Sequence, residues 1–326
     1  MKRYFFNKKN IKIKNTDKKN NSMDFFIRNN PILIILIICI IIILEGLYIS
    51  YTIFSKHIRP IQAKEIIKND FAVADILAFN DYFYIINANT NLIQKFDIET
   101  MQIIDKFELV DNPVGIVETS NGNLAVLGRK QNNSLLIIYD YKNKSAVKEV
   151  IVDLPGLASG IVIDAEDILY IIDGFNKKVV KYNLSCEKIG EFYLKYKNNK
   201  NKFLRFSKVV VKRDILYIFD EERFVTLYDK YGQIKNQWCA NEIRKPSILC
   251  DIAVDDSNNI YISGDNENRV FIYDQNGKLK AFFFEDKSRK NRMSRPGALA
   301  VNNKYIFINA SFGLYQKLLL LEKIFK

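Results

Sequence analysis

Residues 160–183 read GIVIDAEDILYIIDGFNKKVVKYN and residues 251–274 read DIAVDDSNNIYISGDNENRVFIYD, and the two blocks superimpose without a gap. Asp164, Tyr170, Val179 and Tyr182 fall on Asp255, Tyr261, Val270 and Tyr273. The offset spans two modules of about 45 residues, the size of one propeller blade. A small sheet of this kind cannot bury both of its faces alone, and stacking copies around an axis solves the problem.

Outward from these blocks the repeat is followed by a landmark, an aromatic in the second strand and another about twelve residues later in the third. Tyr84 with Phe96 marks the first unit, Tyr170 with Tyr182 the third, Tyr217 with Tyr228 the fourth, and Tyr261 with Tyr273 the fifth. The second unit is looser, with Ala125 and Tyr139, and the last is degenerate, with Phe307 and Leu319. Strand segments rich in β-branched and aromatic residues are bounded by Asn, Asp and Gly. Asn121-Gly122 and Asn276-Gly277 supply the positive backbone angles of tight hairpins, and Asn258-Asn259 and Asn302-Asn303 are weaker versions. Pro113, Pro155, Pro246 and Pro296 are each expected just before an inner strand, where a missing amide donor costs nothing. After Ala298–Val301, Tyr305–Asn309 and Tyr315–Glu322, too little chain remains for a fourth strand in the last unit. Arg59–Lys68 has the length to supply it and so leave no sheet edge open. The expected fold is therefore all-β, a six-bladed β-propeller of four-stranded blades over residues 55–326, closed by an N-terminal strand.

Ahead of it, residues 1–30 carry nine Lys and Arg against Asp17 and Asp24, and read as a disordered basic tail. The apolar run Ile32–Leu44 is too short to cross a hydrocarbon core of about 30 Å alone. With Leu47 to Phe54 recruited, residues 31–54 are expected to form a single transmembrane helix. The basic tail then stays cytoplasmic and the propeller is extracytoplasmic at the cell membrane. A cleaved signal peptide shares the order basic, apolar, polar, but no small-x-small site follows, and Ile38 before Cys39 does not suit lipidation. Glu45 within the span either pairs with another helix or reaches the headgroups. Outside the membrane the cysteines are odd in number, Cys186, Cys239 and Cys250, with no C-x-x-C pair. That argues against a disulfide framework and a zinc site, and leaves a bridge between Cys239 and Cys250 as the one pairing across adjacent blades.

The residues resemble the NHL-repeat family of six-bladed propellers. Asp164, Ile171-Ile172-Asp173 and Asn176-Lys177-Lys178-Val179 follow its pattern, as do Asp255 and Arg269-Val270. The resemblance covers most of residues 70–322, departing at Lys178, at Gly264 where the third unit has Asp173, and in a glycine count of only 13. No Trp-Asp dipeptide or Gly-Gly pair points to the WD40 or kelch type. NHL-like propellers include amidating lyases whose metal is held by histidines, and this chain has one histidine, His57, before the propeller. A histidine-held metal and a Ser-His or Cys-His nucleophile are thereby excluded within the repeats. Ser159, in Gly156-Leu157-Ala158-Ser159-Gly160, sits one residue late for a nucleophile elbow.

Gluconolactonase-like propellers, which hold a divalent cation with carboxylate and amide oxygens, leave a second enzymatic reading open. Its candidates are Asp75, Glu118, Asp164, Asp251 and Asp255 near inner-strand ends, although Asp164 and Asp255 sit where aspartate caps a hairpin. Asp173, Asn176 and Arg269 read as hydrogen-bonding groups between blades.

The links between units carry the strongest charge. Lys195, Lys197, Lys200, Lys202, Arg205 and Lys208 crowd one, Arg244 and Lys245 another, and Lys287, Arg289, Lys290, Arg292 and Arg295 a third. All three join an outer strand to the next inner strand, so they share one face of the disk, with Tyr193, Tyr196 and Phe203 nearby. Such a face attracts anions, unless these are simply solvated loops. The reading that results is a non-catalytic binding or scaffold module for a protein or anionic polymer, contacting it through Lys195, Lys197, Arg205, Arg244, Lys287, Arg289 and Arg292. No metal and no cofactor is expected, and the extracytoplasmic topology argues against nucleic acid. The gluconolactonase-like hydrolase is the alternative.

Overall fold

A computed structural model describes residues 39–45, 64–69, 73–154, 158–174, 176–195, 206–244, 250–264, 266–283, 295–312 and 315–323. Of the expected transmembrane span only residues 39–45 are described, and they are helical. Among the described residues no helix is long and apolar enough to cross a membrane.

The chain opens with β1 (Lys64–Asn69), which belongs to the last blade. Blade 1 is β2 (Val73–Ala78), β3 (Tyr82–Asn87), β4 (Leu92–Asp97) and β5 (Ile103–Phe107). Blade 2 is β6 (Asp111–Glu118), β7 (Leu124–Lys130), β8 (Asn133–Asp140) and β9 (Ser145–Ile151). In blade 3 these are β10 (Gly160–Ile163), β11 (Leu169–Asp173), β12 (Lys178–Tyr182) and β13 (Lys188–Tyr193). Blade 4 has β14 (Phe206–Lys212), β15 (Ile215–Asp220), β16 (Phe224–Asp229) and β17 (Ile234–Cys239), and blade 5 has β18 (Ile252–Val254), β19 (Ile260–Gly264), β20 (Arg269–Tyr273) and β21 (Leu279–Phe283). Blade 6 is β22 (Leu299–Val301), β23 (Tyr305–Phe312) and β24 (Tyr315–Glu322), with β1 pairing antiparallel to β24 as its outer strand. The closing strand thus lies a few residues later than Arg59–Lys68, and it covers the edge of β24 as expected.

Inner strands β2, β6, β10, β14, β18 and β22 pack side by side in a ring, the last against the first. Each blade is apolar on both faces, because successive residues of a strand point to opposite neighbours. Ile116 packs into the cluster with blade 1 while Val117 joins the one with blade 3. Six such clusters fill the six blade-to-blade interfaces, and full burial of each large side chain contributes about 1.5–3 kcal/mol. This two-sided burial is why the strands read as continuous apolar runs rather than alternating ones.

The hairpins are held by side chains. Asp164 Oδ1 accepts the N–H groups of Glu166 and Ile168, and Asp255 Oδ1 those of Ser257 and Asn259. Their second oxygens accept the hydroxyls of the landmark tyrosines Tyr170 and Tyr261. Gly122 and Gly277 adopt φ of +82° and +79°, and Asn258 +58°, but no residue of the Asn302-Asn303 turn is left-handed. There the Asn302 carboxamide caps the turn, accepting from Lys304 and Tyr305.

Several expectations need correction. Pro113 lies inside β6, at the irregularity between Asp111 and Gly115, where a bulge frees it from the ladder. Asp173 and Asn176 bond within one hairpin rather than between blades, at 2.9 and 2.7 Å. Cys186, Cys239 and Cys250 form no disulfide, so no bridge joins Cys239 to Cys250. Pro155 and Pro246 fall outside the described residues.

Candidate functional site

In each blade one residue of the inner strand lies opposite the landmark position, and two residues before it is a site facing the channel mouth on the side of the links between blades. The registers place Asp75, Gly115, Gly160, Lys208, Asp251 and Ala298 at this one repeat position. Three of the six are small and three are charged, and the charged ones meet. Lys208 Nζ donates to Asp75 Oδ1 at 2.7 Å and lies 3.8 Å from Asp251 Oδ2. Blades 1 and 4 are diametrically opposed, so the Lys208 side chain spans the channel.

The small residues make that crossing possible. A methyl group on Gly115 would stand 2.9 Å from Ile161 Cγ2 and 3.4 Å from Asp75 Oδ2. Asp251 is fixed by backbone donors, Oδ1 accepting from Ile252 at 2.8 Å and Oδ2 from Leu299 of the next blade at 2.9 Å. Burial pushes the Asp251 carboxyl up to about 6, opposed by the Lys208 ammonium. For Lys208 the direction is also upward, because the two aspartates outweigh the burial that would lower it. It is therefore a fixed cation and not a base.

Behind this triad runs a cavity of about 250 Å³, walled by inner-strand residues such as Ile76, Ile116, Val162, Val209 and Ile252. Glu118 and Phe79 line it too, at the ends of β6 and β2. Inner strands run the same way around the ring, so Asp75 and Asp251 stand at one end of the channel and Glu118, Asp164 and Asp255 at the other. Three residues of strand, about 10 Å, separate the level of Gly115 and Asp75 from Glu118. The five carboxylates therefore do not converge on one ion, and among the described residues no group of three metal-ligating side chains is assembled.

At the far end, Tyr82 donates to Glu118 Oε1 at 2.8 Å. Asp255 forms a buried pair with Lys323 at 2.9 Å, with side chains 1% and 7% exposed. Burial raises the Asp255 carboxyl, but Asn259 and Lys323 overcome this and hold it below the usual range.

Of the seven residues expected on the basic face, Lys195 and Arg244 are described, and both are exposed in outer-to-inner links on the same face. Arg295, in a third such link, is exposed as well. Lys197, Arg205, Lys287, Arg289 and Arg292 lie outside the described residues. Lys208, counted with the basic links from sequence, instead belongs to the inner strand β14, which begins at Phe206 and draws it into the channel. The repeat held the missed signal. Aligning the units by their landmarks puts Lys208 level with Asp75 and Asp251, a complementary pattern at an inner position.

No protein-family model matches the sequence, and no curated protein matches it. Solved structures do. Virginiamycin B lyase from Staphylococcus aureus superimposes with a TM-score of 0.57 at 12% identity, covering 80% of this chain and 99% of that one. A catalytically inactive histidine-to-alanine variant of the same lyase, with quinupristin, gives 0.54 at 14% identity over 81% and 82%. Hydrazine synthase from Kuenenia stuttgartiensis gives 0.56 at 12% identity over 80% and 98%. At these identities the likeness is one of fold: the chain is an all-β six-bladed propeller similar in fold to virginiamycin B lyase.

Proposed function

We propose that this protein is a membrane-anchored, NHL-like propeller that binds an anionic polymer or protein on its link face and carries out no catalysis there. The observation that carries the reading is the Lys208 bridge. The two carboxylates at the link-side mouth already share an ammonium that the chain itself supplies, which leaves them poorer ligands for a divalent cation. Glu118, the other carboxylate that a lactonase-like site would need, sits at the opposite end of the cavity. A lyase of the virginiamycin type is disfavoured on separate grounds. Substitution of one histidine inactivates that protein, and here the only histidine is His57.

The link face supports binding in turn. Lys195, Arg244 and Arg295 project from it, and the sequence of its longer loops adds Lys197, Arg205, Lys287, Arg289 and Arg292. The chain enters blade 6 through β1, an outer strand that starts on the face opposite the links. The test is titration of the full-length protein in nanodiscs with polyglutamate at rising salt. Saturable binding, weakened by salt and lost when Arg244, Lys287 and Arg289 are reversed to glutamate, is expected. Binding that is indifferent to both changes, or Ca²⁺ stabilisation abolished by Asp251→Ala, overturns the proposal.

A further inference from the structure

The opposite end of the channel departs from the repeat in a way that the link face does not explain. The inner-strand residue just after the position opposite the landmark is Ala78, Ile163, Val211, Val254 and Val301 in five blades. In blade 2 it is Glu118. An apolar slot has thus received a carboxylate, and only half of it is satisfied. Oε1 accepts from Tyr82, whereas Oε2 is buried with no hydrogen-bond partner. The hydroxyl of Tyr84, a residue 0% exposed, is buried and unpartnered as well. Burial and then the neighbouring Glu118 carboxylate raise the Tyr84 hydroxyl, so the two groups face one another, but neither atom has a partner at full hydrogen-bond geometry, and such groups call for an occupant.

Around them stand three aromatic walls. Tyr84 is edge-on to Tyr82, centroids 5.7 Å apart, and to Tyr141 at 6.4 Å. Inside lies the ammonium of Lys95, 3.7 Å from the centre of the Tyr82 ring, 4.6 Å from Tyr141 and 5.2 Å from Tyr84. The rings are therefore arranged to receive a cation. Lys95 fills the cage without completing it, since neither Glu118 Oε2 nor the Tyr84 hydroxyl is in hydrogen-bond reach of it, and among the described residues it forms no ion pair. The neighbouring carboxylate, Asp105, is committed to Tyr141 and Lys144. Burial lowers the pKa of Lys95, opposed by the nearby Glu118 and Asp105 carboxylates.

We propose that the junction of blades 1 and 2 is a binding site for the primary ammonium group of a ligand, which displaces Lys95 from the Tyr82, Tyr84 and Tyr141 cage and donates to Glu118 Oε2 and the Tyr84 hydroxyl. The two unpaired acceptors select the class. A primary ammonium, such as a lysine side chain or a polyamine end, brings N–H donors for both, while a quaternary ammonium satisfies the rings alone. Glu118 also lines the channel cavity, beside apolar residues such as Leu77, Phe79 and Ile163. This site lies at the other end of the channel from the link face, and it stands or falls separately from the polyanion reading.

Butylammonium and tetramethylammonium are titrated into the full-length protein in nanodiscs by calorimetry. Saturable butylammonium binding, at least tenfold tighter than tetramethylammonium, is expected. Lys95→Ala, which empties the cage, should tighten it a further tenfold, and Glu118→Gln should abolish it. Tyr82→Phe keeps the ring and frees Glu118 from its hydroxyl, so it gives a second reading if Lys95→Ala fails to fold, with binding retained. No saturable binding to the native protein and to the variants that fold, equal affinity for the two amines, or binding unaffected by Glu118→Gln overturns the proposal.

Discussion

Replacing Lys208 by methionine keeps most of the side-chain volume and removes the charge that spans the channel. Asp75 and Asp251 would then face one another across the mouth, where their side chains are only 19% and 4% exposed. Removing one partner of a buried ion pair costs about 3–5 kcal/mol, because the charge left behind is desolvated and unpaired. The loss has a pH signature. In the native protein burial has already raised Asp251 to about 6, so its ionisation opposes folding, and this group's contribution to stability falls as the pH rises from about 4 through about 6. Without the ammonium, which lowers it, that carboxyl moves further up and the unfavourable window extends to higher pH. Lys208→Met should therefore cost the full 3–5 kcal/mol at pH 8 and distinctly less at pH 5, where protonation relieves the repulsion. Urea unfolding at both pH values can be followed by the fluorescence of Trp238, the only tryptophan, packed 5.0 Å from the Tyr273 ring at the boundary of blades 4 and 5. A loss below about 1 kcal/mol at pH 8, or an equal loss at both values, would refute the bridge as a structural element.

Three other perturbations probe the remaining joints. Asp220, 1% exposed, is raised by burial to about 7 although its carboxylate accepts the N–H groups of Glu222 and Phe224, so Asp220→Asn should stabilise by up to about 4 kcal/mol at pH 8 and hardly at all at pH 4, measured as a shift in urea midpoint. Lys323→Met breaks the buried pair with Asp255, whose depressed pKa gives stability above the unfolded value of about 4; because Asn259 and Tyr261 still donate to the same carboxylate oxygen, the variant should lose about 3 kcal/mol at pH 7, the low end for a broken buried pair, with the difference vanishing as pH falls through the carboxylate range. Gly277→Ala combines a φ of +79° with a methyl group 2.5 Å from the Trp238 ring, and should cost about 2–4 kcal/mol in thermal unfolding, with a change in the tryptophan emission.

The fold was legible because a propeller writes the same physical problem six times. Tyr170 and Tyr261 repeat since each must fill a gap between sheets, and Asp164 and Asp255 repeat since each must cap a two-turn hairpin and hold the tyrosine hydroxyl. Closure by β1 was legible from arithmetic, a blade short of one strand and a segment of that length at the other end. Proline 113 misled because bulge geometry is local and leaves no mark on the hydrophobic pattern. Asp173 and Asn176 misled differently, since spacing alone does not distinguish a loop that bonds to itself from one that reaches its neighbour.

The two places of chemical interest share one cause, and it bears on how such sites are found. Repetition brings equivalent positions into a ring, so residues far apart in sequence and unremarkable in their own strands become neighbours: Lys208 lies 133 positions from Asp75. Read as a linear charge run, Lys208 joins Arg205 in a basic link; read by repeat position, it is one of three charges among three small residues, and the small ones leave space for it. The same alignment exposes Glu118, which as a single carboxylate is unremarkable and as the one acidic member of an otherwise apolar ring position is an anomaly. Departures from the repeat, more than the repeat itself, therefore point to the chemistry. In Lys208 the departure is compensated within the fold, two carboxylates for one ammonium. In Glu118 it is not, since one carboxylate oxygen and one phenol are left unsatisfied, and an imbalance of that kind is what a ligand can correct.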